Sequence, residues 1–425
     1  MIYPVLTDAQ MKRSQRFFIG FNLLNGLGYM CVGDMVMTLL GNRLGFPDVV
    51  FTTFGAFFNL GCIWIPLGKI AAQHWGAART QSNFWLWRNL ASIMMDSCAI
   101  WGFFGHLYIA IAFFLAGGFL FCACRSAGGV MTNTLVGNIT HENERGKLLA
   151  FASMSHNIVT AFVIISLTLL LHRVERFGNT TAIWALFAII LFGAGCGILS
   201  AICMRCVDES ESIREAAKKP LITDGWVCLK SSAFRRMVTA QICFSVAMAL
   251  TFSINMLVLK RGFQISDSMA LAINFLGSLL CVALARPAAW LGDKIGPRKG
   301  LIVGYSFNFL LILFWQLVPG EFHWLTVVIL FFLTSSCSMC CGICQGQYFL
   351  KCIPVEHQPS AATLQSLING ILTGVIVMGL TAFLWKGCDW ILGPGISMAR
   401  YRLFVLLGLP FVALGFIGIW RQKEV

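Results

Sequence analysis

"MRCVDESESIREAAKKPLITDGWVCLKSSAFRRM", residues 204–237, is the one long polar stretch in a chain of 425 residues. Elsewhere apolar sequence dominates: 58% of residues are hydrophobic, 12% are charged and the mean hydropathy is +0.77, a balance that soluble globular domains do not show. Apolar runs long enough to cross a bilayer, about 20 residues each, recur on both sides of it. A lone span must satisfy its backbone hydrogen bonds internally, so these runs read as helices. They are too long and too evenly apolar for the alternating strands of a β-barrel.

Twelve runs are expected to be helical, near 17–40, 49–70, 84–105, 107–136, 147–171, 182–204, 237–259, 268–286, 300–318, 323–350, 362–385 and 402–420. Six precede the polar stretch and six follow it. The expected organisation is an N-terminal six-helix bundle (1–204), a cytoplasmic linker (205–236) and a C-terminal six-helix bundle (237–425). The N-terminal sequence MIYPVLTDAQMKRSQRF places basic residues before an apolar run, as a secretory signal does. That run is too long for a signal core and lacks a small-residue cleavage site, so it reads as the first span.

The net charge of +13 could suggest a polyanionic partner, but no contiguous basic arm exists, so nucleic acid is not expected as a partner. With the N-terminus cytoplasmic, most of the 31 basic residues fall in inward segments, Arg88 among them. The outward segments hold Arg43, Arg173, Arg176, Lys260, Arg261, Lys386, Arg400 and Arg402. The positive-inside rule therefore puts both termini in the cytoplasm. The 17 cysteines lie mostly within apolar spans and read as small, reduced packing residues.

Two halves of six invite a search for duplication. ENERGKLLAFASMSHNI follows the fourth span and VEHQPSAATLQSLINGI the tenth, aligning Glu144 with Glu356 and Asn157 with Asn369. PLGKIAAQHWGAAR and ARPAAWLGDKIGPRKG likewise align Gly76 with Gly296 and Arg79 with Lys299. The second of these loops, through Gly292, Asp293, Lys294, Gly296, Arg298 and Lys299, resembles the cytoplasmic Gly-x-x-x-Asp-Arg/Lys-x-Gly-x-Arg/Lys motif of the major facilitator superfamily. Its first glycine is missing, and the first-half copy has Gln73 in place of the aspartate. Arg125-Ser126-Ala127-Gly128-Gly129 is similar to the family's fourth-helix motif Arg-x-x-Gln-Gly, with Gly128 in the glutamine position. Glu144-Arg145-Gly146 fits the loop that follows.

The resemblance covers essentially the whole chain. It implies an all-α integral membrane fold of twelve transmembrane helices in two pseudo-symmetric six-helix bundles, with helices 1, 4, 7 and 10 lining a central cavity. Asp293 and Arg298 would latch helix ends at the cytoplasmic gate, with Gly296 allowing the turn.

Arg125 lies midway along the fourth span, where a charge costs a few kcal/mol even on the mild insertion scale. Two carboxylates lie in apolar spans of the same half, Asp34 in the first and Asp96 in the third. Helix 1 lines the cavity in the resembled family, so Asp34 and Arg125 form the candidate coupling pair, while Asp96 is the candidate structural ion-pair partner of Arg125, or a polar contact in the first bundle. A fixed buried pair that only holds helices together is the competing reading. Asn22 and Asn25 in the first span, Gln241 and Asn255 in the seventh, and Gln345 and Gln347 in the tenth are candidate substrate contacts, or interhelical hydrogen bonds. His156 could relay protons or simply pack. CSMCCGIC contains two Cys-x-x-Cys spacings, read as packing without metal.

No nucleophile motif, phosphate loop or paired-acid arrangement supports an enzyme, and no ATP-binding loop is present. The expectation is a secondary active transporter for a small organic solute, working by alternating access and coupled to a proton, with no other cofactor. It would reside as a monomer in the lipid bilayer of the cell (inner) membrane. A transport-inactive receptor or scaffold and a lipid or glycolipid translocator are the alternatives.

Overall fold

The computed structural model describes residues 6–140, 145–218, 229–352, 358–393 and 397–421, and these form helices and short connections. Ten of the helical segments are long and apolar enough to cross a membrane. Two more, Ala77–Asp96 (α5) and Asp267–Ile295 (α13), complete twelve crossings. Both carry charges that lower their hydropathy, and both are held among the other helices. The chain divides into two compact units, Met1–Val50 with Phe57–Lys219, and Phe51–Ala56 with Pro220–Val425.

In the first unit, α1 (Asp8–Val32) starts at a capping box in which Thr7 and Gln10 satisfy each other's backbone donors. It stops at Gly33, whose backbone is extended (φ −63°, ψ 171°), and α2 (Asp34–Arg43) resumes at once. The first span, expected as one helix over 17–40, is thus broken at the glycine before Asp34. The second span is α3 (Asp48–Leu60), one 3-10 turn, and α4 (Ile65–Trp75). After α5 come α6 (Cys98–Phe103), α7 (Leu107–Gly129), α8 (Thr132–Asn138), α9 (Arg145–Val174) and α10 (Asn179–Arg205).

The third span begins at Ala77, earlier than the expected residue 84, because its polar first turns are buried by neighbours: Thr80, Gln81 and Ser82 are all buried. Small residues bring these helices close. A Cβ on Gly61 would lie 2.6 Å from the Cys122 backbone of α7, and one on Gly28 would lie 2.7 Å from the Gly193 carbonyl of α10. The first part of the expected linker is not free chain. Helix α11 (Glu211–Lys218) buries Ile213 in the core of this unit, and Ser14 Oγ accepts from the Asp208 amide at 2.9 Å.

The second unit holds α12 (Ser232–Leu257), α13, α14 (Pro297–Leu317), α15 (Trp324–Cys352), α16 (Gln358–Leu392), α17 (Met398–Leu406) and α18 (Leu409–Trp420). Helix α13 continues through Pro287 to Ile295, past the expected end near 286. Gly296 then turns the chain with φ 94°, a value open to glycine. Cys341 and Cys344 pack their thiols against Gly304 and Gly300 of α14, so the cysteine-rich stretch is a small-residue seam between helices. Ion pairs in this unit include Lys260–Asp267 at 2.5 Å and Arg400–Asp389 at 2.7 Å.

Candidate functional site

A row of buried polar groups runs along one helix of the first unit. Helix α5 contributes Thr80, Gln81, Ser82, Arg88, Asn89, Ser92 and Asp96, all buried. It packs antiparallel to α7. A Cβ on Gly128 would lie 2.8 Å from the Trp85 ring, and one on Gly117 would lie 2.6 Å from the Met95 amide. That register puts Arg125 of α7 level with Arg88 of α5.

Arg125 is half-buried and lies between aromatic faces, with its guanidinium carbon 4.2 Å from the Phe58 ring centre and 5.4 Å from that of Tyr29. It meets no carboxylate and makes no hydrogen bond among the described residues. Arg88 is 2% exposed and faces the rings of Trp85 (4.6 Å) and Phe121 (5.3 Å). It donates to Asn25 Oδ1 at 2.8 Å, and the same oxygen accepts from Trp85 Nε1 at 2.9 Å. Its buried Nε has no partner among the described residues. Asn25 and Tyr29 are one turn apart on α1, so that helix holds Arg88 with one residue and flanks Arg125 with the other. The two guanidinium groups lie within electrostatic range of each other.

Sequence reasoning placed Arg88 among the inward topology charges, and the structure corrects this: it is a core residue of the site. It also corrects Asp96, expected as an ion-pair partner of Arg125. Asp96 lies two turns further along α5, level with Gly117. Its fully buried carboxylate has no hydrogen-bond partner among the described residues. Asp34 opens α2, and its side chain lies outside the described residues, as do those of Asp293, Arg145 and Asn157 and the whole of Glu144 and Glu356.

The remaining candidates separate. Asn22 donates to Phe18 of its own helix at 2.8 Å, and its carbonyl oxygen meets His156 Nδ1 at 3.4 Å, where the imidazole packs over Gly26. In the second unit, Gln365 donates to Gln241, a partnership the sequence did not suggest. Asn255 lines a narrow, mainly apolar recess with Trp315, Phe331 and Thr334. Gln345 is half-buried, and the Gln347 amide occupies the space above Gly292.

At the motif loop, Arg298 donates to the Trp420 carbonyl at 2.7 Å, tying it to the end of α18. Lys294 lies 5.1 Å from the centre of the Trp290 ring, and Lys299 is exposed.

Residues 88–378 match the family model described as Major Facilitator Superfamily. The chain belongs to the major facilitator superfamily. Solved structures share its fold at low identity. A nucleoside transporter, solved as a point mutant, is 9% identical with a TM-score of 0.73, covering 97% of this chain and 100% of its own. A D-xylose–proton symporter is 14% identical with a TM-score of 0.64, covering 97% and 98%. The E. coli fucose:proton symporter is 14% identical with a TM-score of 0.57, covering 98% of both chains. No curated protein sequence matches the chain at a significant level.

The superfamily fold is that of secondary transporters: twelve membrane helices in two six-helix bundles. Two departures of this superfamily member from the expected motifs have structural reasons. Gly128 replaces the motif glutamine because the Trp85 ring and the Phe84 Cβ fill the space a side chain would need. Gln73 replaces the loop aspartate, while a carboxylate arrives from elsewhere: Glu209 Oε2 accepts from the Ala78 amide at 3.0 Å, at the start of α5. Gly76, in the same turn at φ 85°, leaves room for that side chain. Neither Arg88 nor Glu209 was singled out from the sequence. The usable signal for Arg88 was its position in NFWLWRNLASIMM, a run that is otherwise mostly apolar and aromatic.

Proposed function

We propose that this chain is a secondary active transporter that moves a small organic solute across the cell membrane by alternating access, driven by a proton gradient. The observation that carries the reading is Arg125, a half-exposed cation within a transmembrane helix whose hydrogen-bond donors are not spent on the described residues. An intramembrane ionisable group without a structural partner is a functional group by default. Asp34 is the proposed coupling carboxylate. It follows a helix break on the span that touches Arg125 through Tyr29, and a carboxylate that alternates between an arginine and a proton links protonation to conformation. Gln241, Asn255, Gln345 and Gln347 are proposed second-unit contacts to the solute, and the 292–299 loop the cytoplasmic gate. The distribution of Lys and Arg supports cytoplasmic termini, and a single chain supplies all of these groups, so it is proposed to act as a monomer.

Reconstituted vesicles with an imposed pH gradient test the proposal. Uptake that collapses with a protonophore and is lost in Asp34→Asn is the expected result. Asp34→Asn transporting at the wild-type rate with unchanged pH dependence would remove the proton from the mechanism. Binding without uptake in the same vesicles would identify a transport-inactive receptor on this fold.

A further inference from the structure

Three other half-buried cations meet carboxylates, while Arg298 and Arg402 donate to the backbone carbonyls of Trp420 and Val318. Arg43 meets Glu175 at 3.3 Å, Lys260 meets Asp267 at 2.5 Å, and Arg400 meets Asp389 at 2.7 Å. Arg88 and Arg125 meet no carboxylate among the described residues, although they are level with each other on adjacent helices. Two positive charges in one low-dielectric region repel each other and lack the hydration that water would supply. Between them they make one hydrogen bond to the described residues, Arg88 to Asn25.

Stacking occupies only the faces of a guanidinium group. With Phe58 and Tyr29 beside it, Arg125 keeps its N–H donors in the ring plane, free to form a two-pronged contact with an oxyanion. Arg88, buried on the adjacent helix at the same level, adds charge to the same region. The backbone adds to the same field. The Tyr29 ring lies 4.0 Å from where a Gly33 side chain would begin, and Gly33 gives α2 no side-chain cap. The positive end of the α2 dipole therefore lies near that ring.

We propose that the transported solute is an organic anion, a carboxylate or phosphate ester on an apolar or aromatic body, held by Arg125 with Arg88 as its electrostatic backing. The rings of Tyr29 and Phe58 would receive the body while the guanidinium edge receives the oxyanion. With Asp34 protonated, the bound anion would supply the counter-charge that the described residues do not. This deepens the carrier reading and rests on it only for the claim that the bound anion is also transported.

The test uses the purified full-length protein and matched solutes: succinate against succinamide, benzoate against benzamide, phenyl phosphate against phenol, and glucose 6-phosphate against glucose. At least one anion should raise the melting temperature of the wild type while its neutral partner does not, because a ligand of the folded state stabilises it. Arg125→Gln should abolish that shift, and Arg88→Gln should weaken affinity at least tenfold.

A ligand-free measurement stands beside it. Without an anion, Arg125→Gln should melt at or above the wild-type temperature, since it removes an unmatched charge; a fall of several degrees would show that the protein already neutralises Arg125 and would overturn the proposal. Anions that shift the wild type no more than their neutral partners would also overturn it, as would uptake of a neutral or cationic solute that survives Arg125→Gln. That last outcome leaves the carrier reading standing. Anion binding that needs Arg125 with no uptake would retain the site and remove the carrier.

Discussion

Asn25 offers the sharpest test of how the arginine pair is held. Its Oδ1 is the acceptor for both Trp85 Nε1 (2.9 Å) and Arg88 (2.8 Å), and neither donor can turn to water, since Trp85 is 7% and Arg88 2% exposed. Asn25→Leu keeps the approximate volume and removes the acceptor. A buried unsatisfied donor costs about 1–3 kcal/mol, and more when it is charged, so losing both should destabilise by roughly 3–5 kcal/mol. At about 2–4 °C per kcal/mol for a unit of this size, the melting temperature of the detergent-solubilised protein should fall by roughly 6–20 °C. Asn25→Asp should act in the opposite direction. Its carboxylate accepts from the same two donors and supplies a counter-charge that the described residues do not, and charge-assisted hydrogen bonds are about twice as strong as neutral ones. The expected result is a melting temperature at or above wild type together with weakened binding of organic anions, because an internal carboxylate competes with the ligand. If Asn25→Asp melts as low as Asn25→Leu, the two arginines do not lack a counter-charge and the electrostatic reasoning fails.

Other perturbations probe the scaffold around the site. Gly61→Ala would put its Cβ 2.6–2.8 Å from the backbone of Cys122 and Ala123, atoms that cannot rotate away; overpacking of about 1–3 kcal/mol should appear as a lower melting temperature and as reduced transport. Asp267→Asn removes the charge from a fully buried carboxylate paired with Lys260 at 2.5 Å; breaking such a pair costs roughly 3–5 kcal/mol, seen as a destabilised protein that a matching Lys260→Met change partly rescues. Glu209→Ala removes the acceptor for the Ala78 amide and should cost about 1 kcal/mol at the start of α5, with increased hydrogen exchange confined to that end of the helix. Asp96→Leu should leave stability unchanged or raised, since neither carboxylate oxygen has a partner among the described residues; a drop of several degrees would reveal a partner for that group.

What the sequence could and could not supply follows from where each piece of information resides. The twelve crossings were legible because hydropathy is a property of a segment by itself, and Arg125 was legible because it interrupts an apolar run. Arg88 was not, although it is the more deeply buried of the two. A rule that assigns arginines by their distance from a span's end treats α5 as a short helix with a basic end. What buries Arg88 comes from other parts of the chain: Asn25 on α1, Phe121 on α7, and the register between α5 and α7. That register depends on α5 backbone meeting Gly117 and on the Trp85 ring meeting Gly128, and composition does not encode it. The same missing information produced the Asp96 expectation, since two charged residues in neighbouring spans read as a pair until the helices are aligned and prove to be two turns apart. Glu209 repeats the lesson at the membrane surface: the loop had lost its aspartate in sequence, yet a carboxylate from beyond the sixth span reaches the turn at Gly76. In this fold the charges that matter are therefore defined by which helices meet. A cation counted as a topology signal becomes part of a candidate binding site once its described neighbours supply aromatic faces and one amide oxygen and no acid.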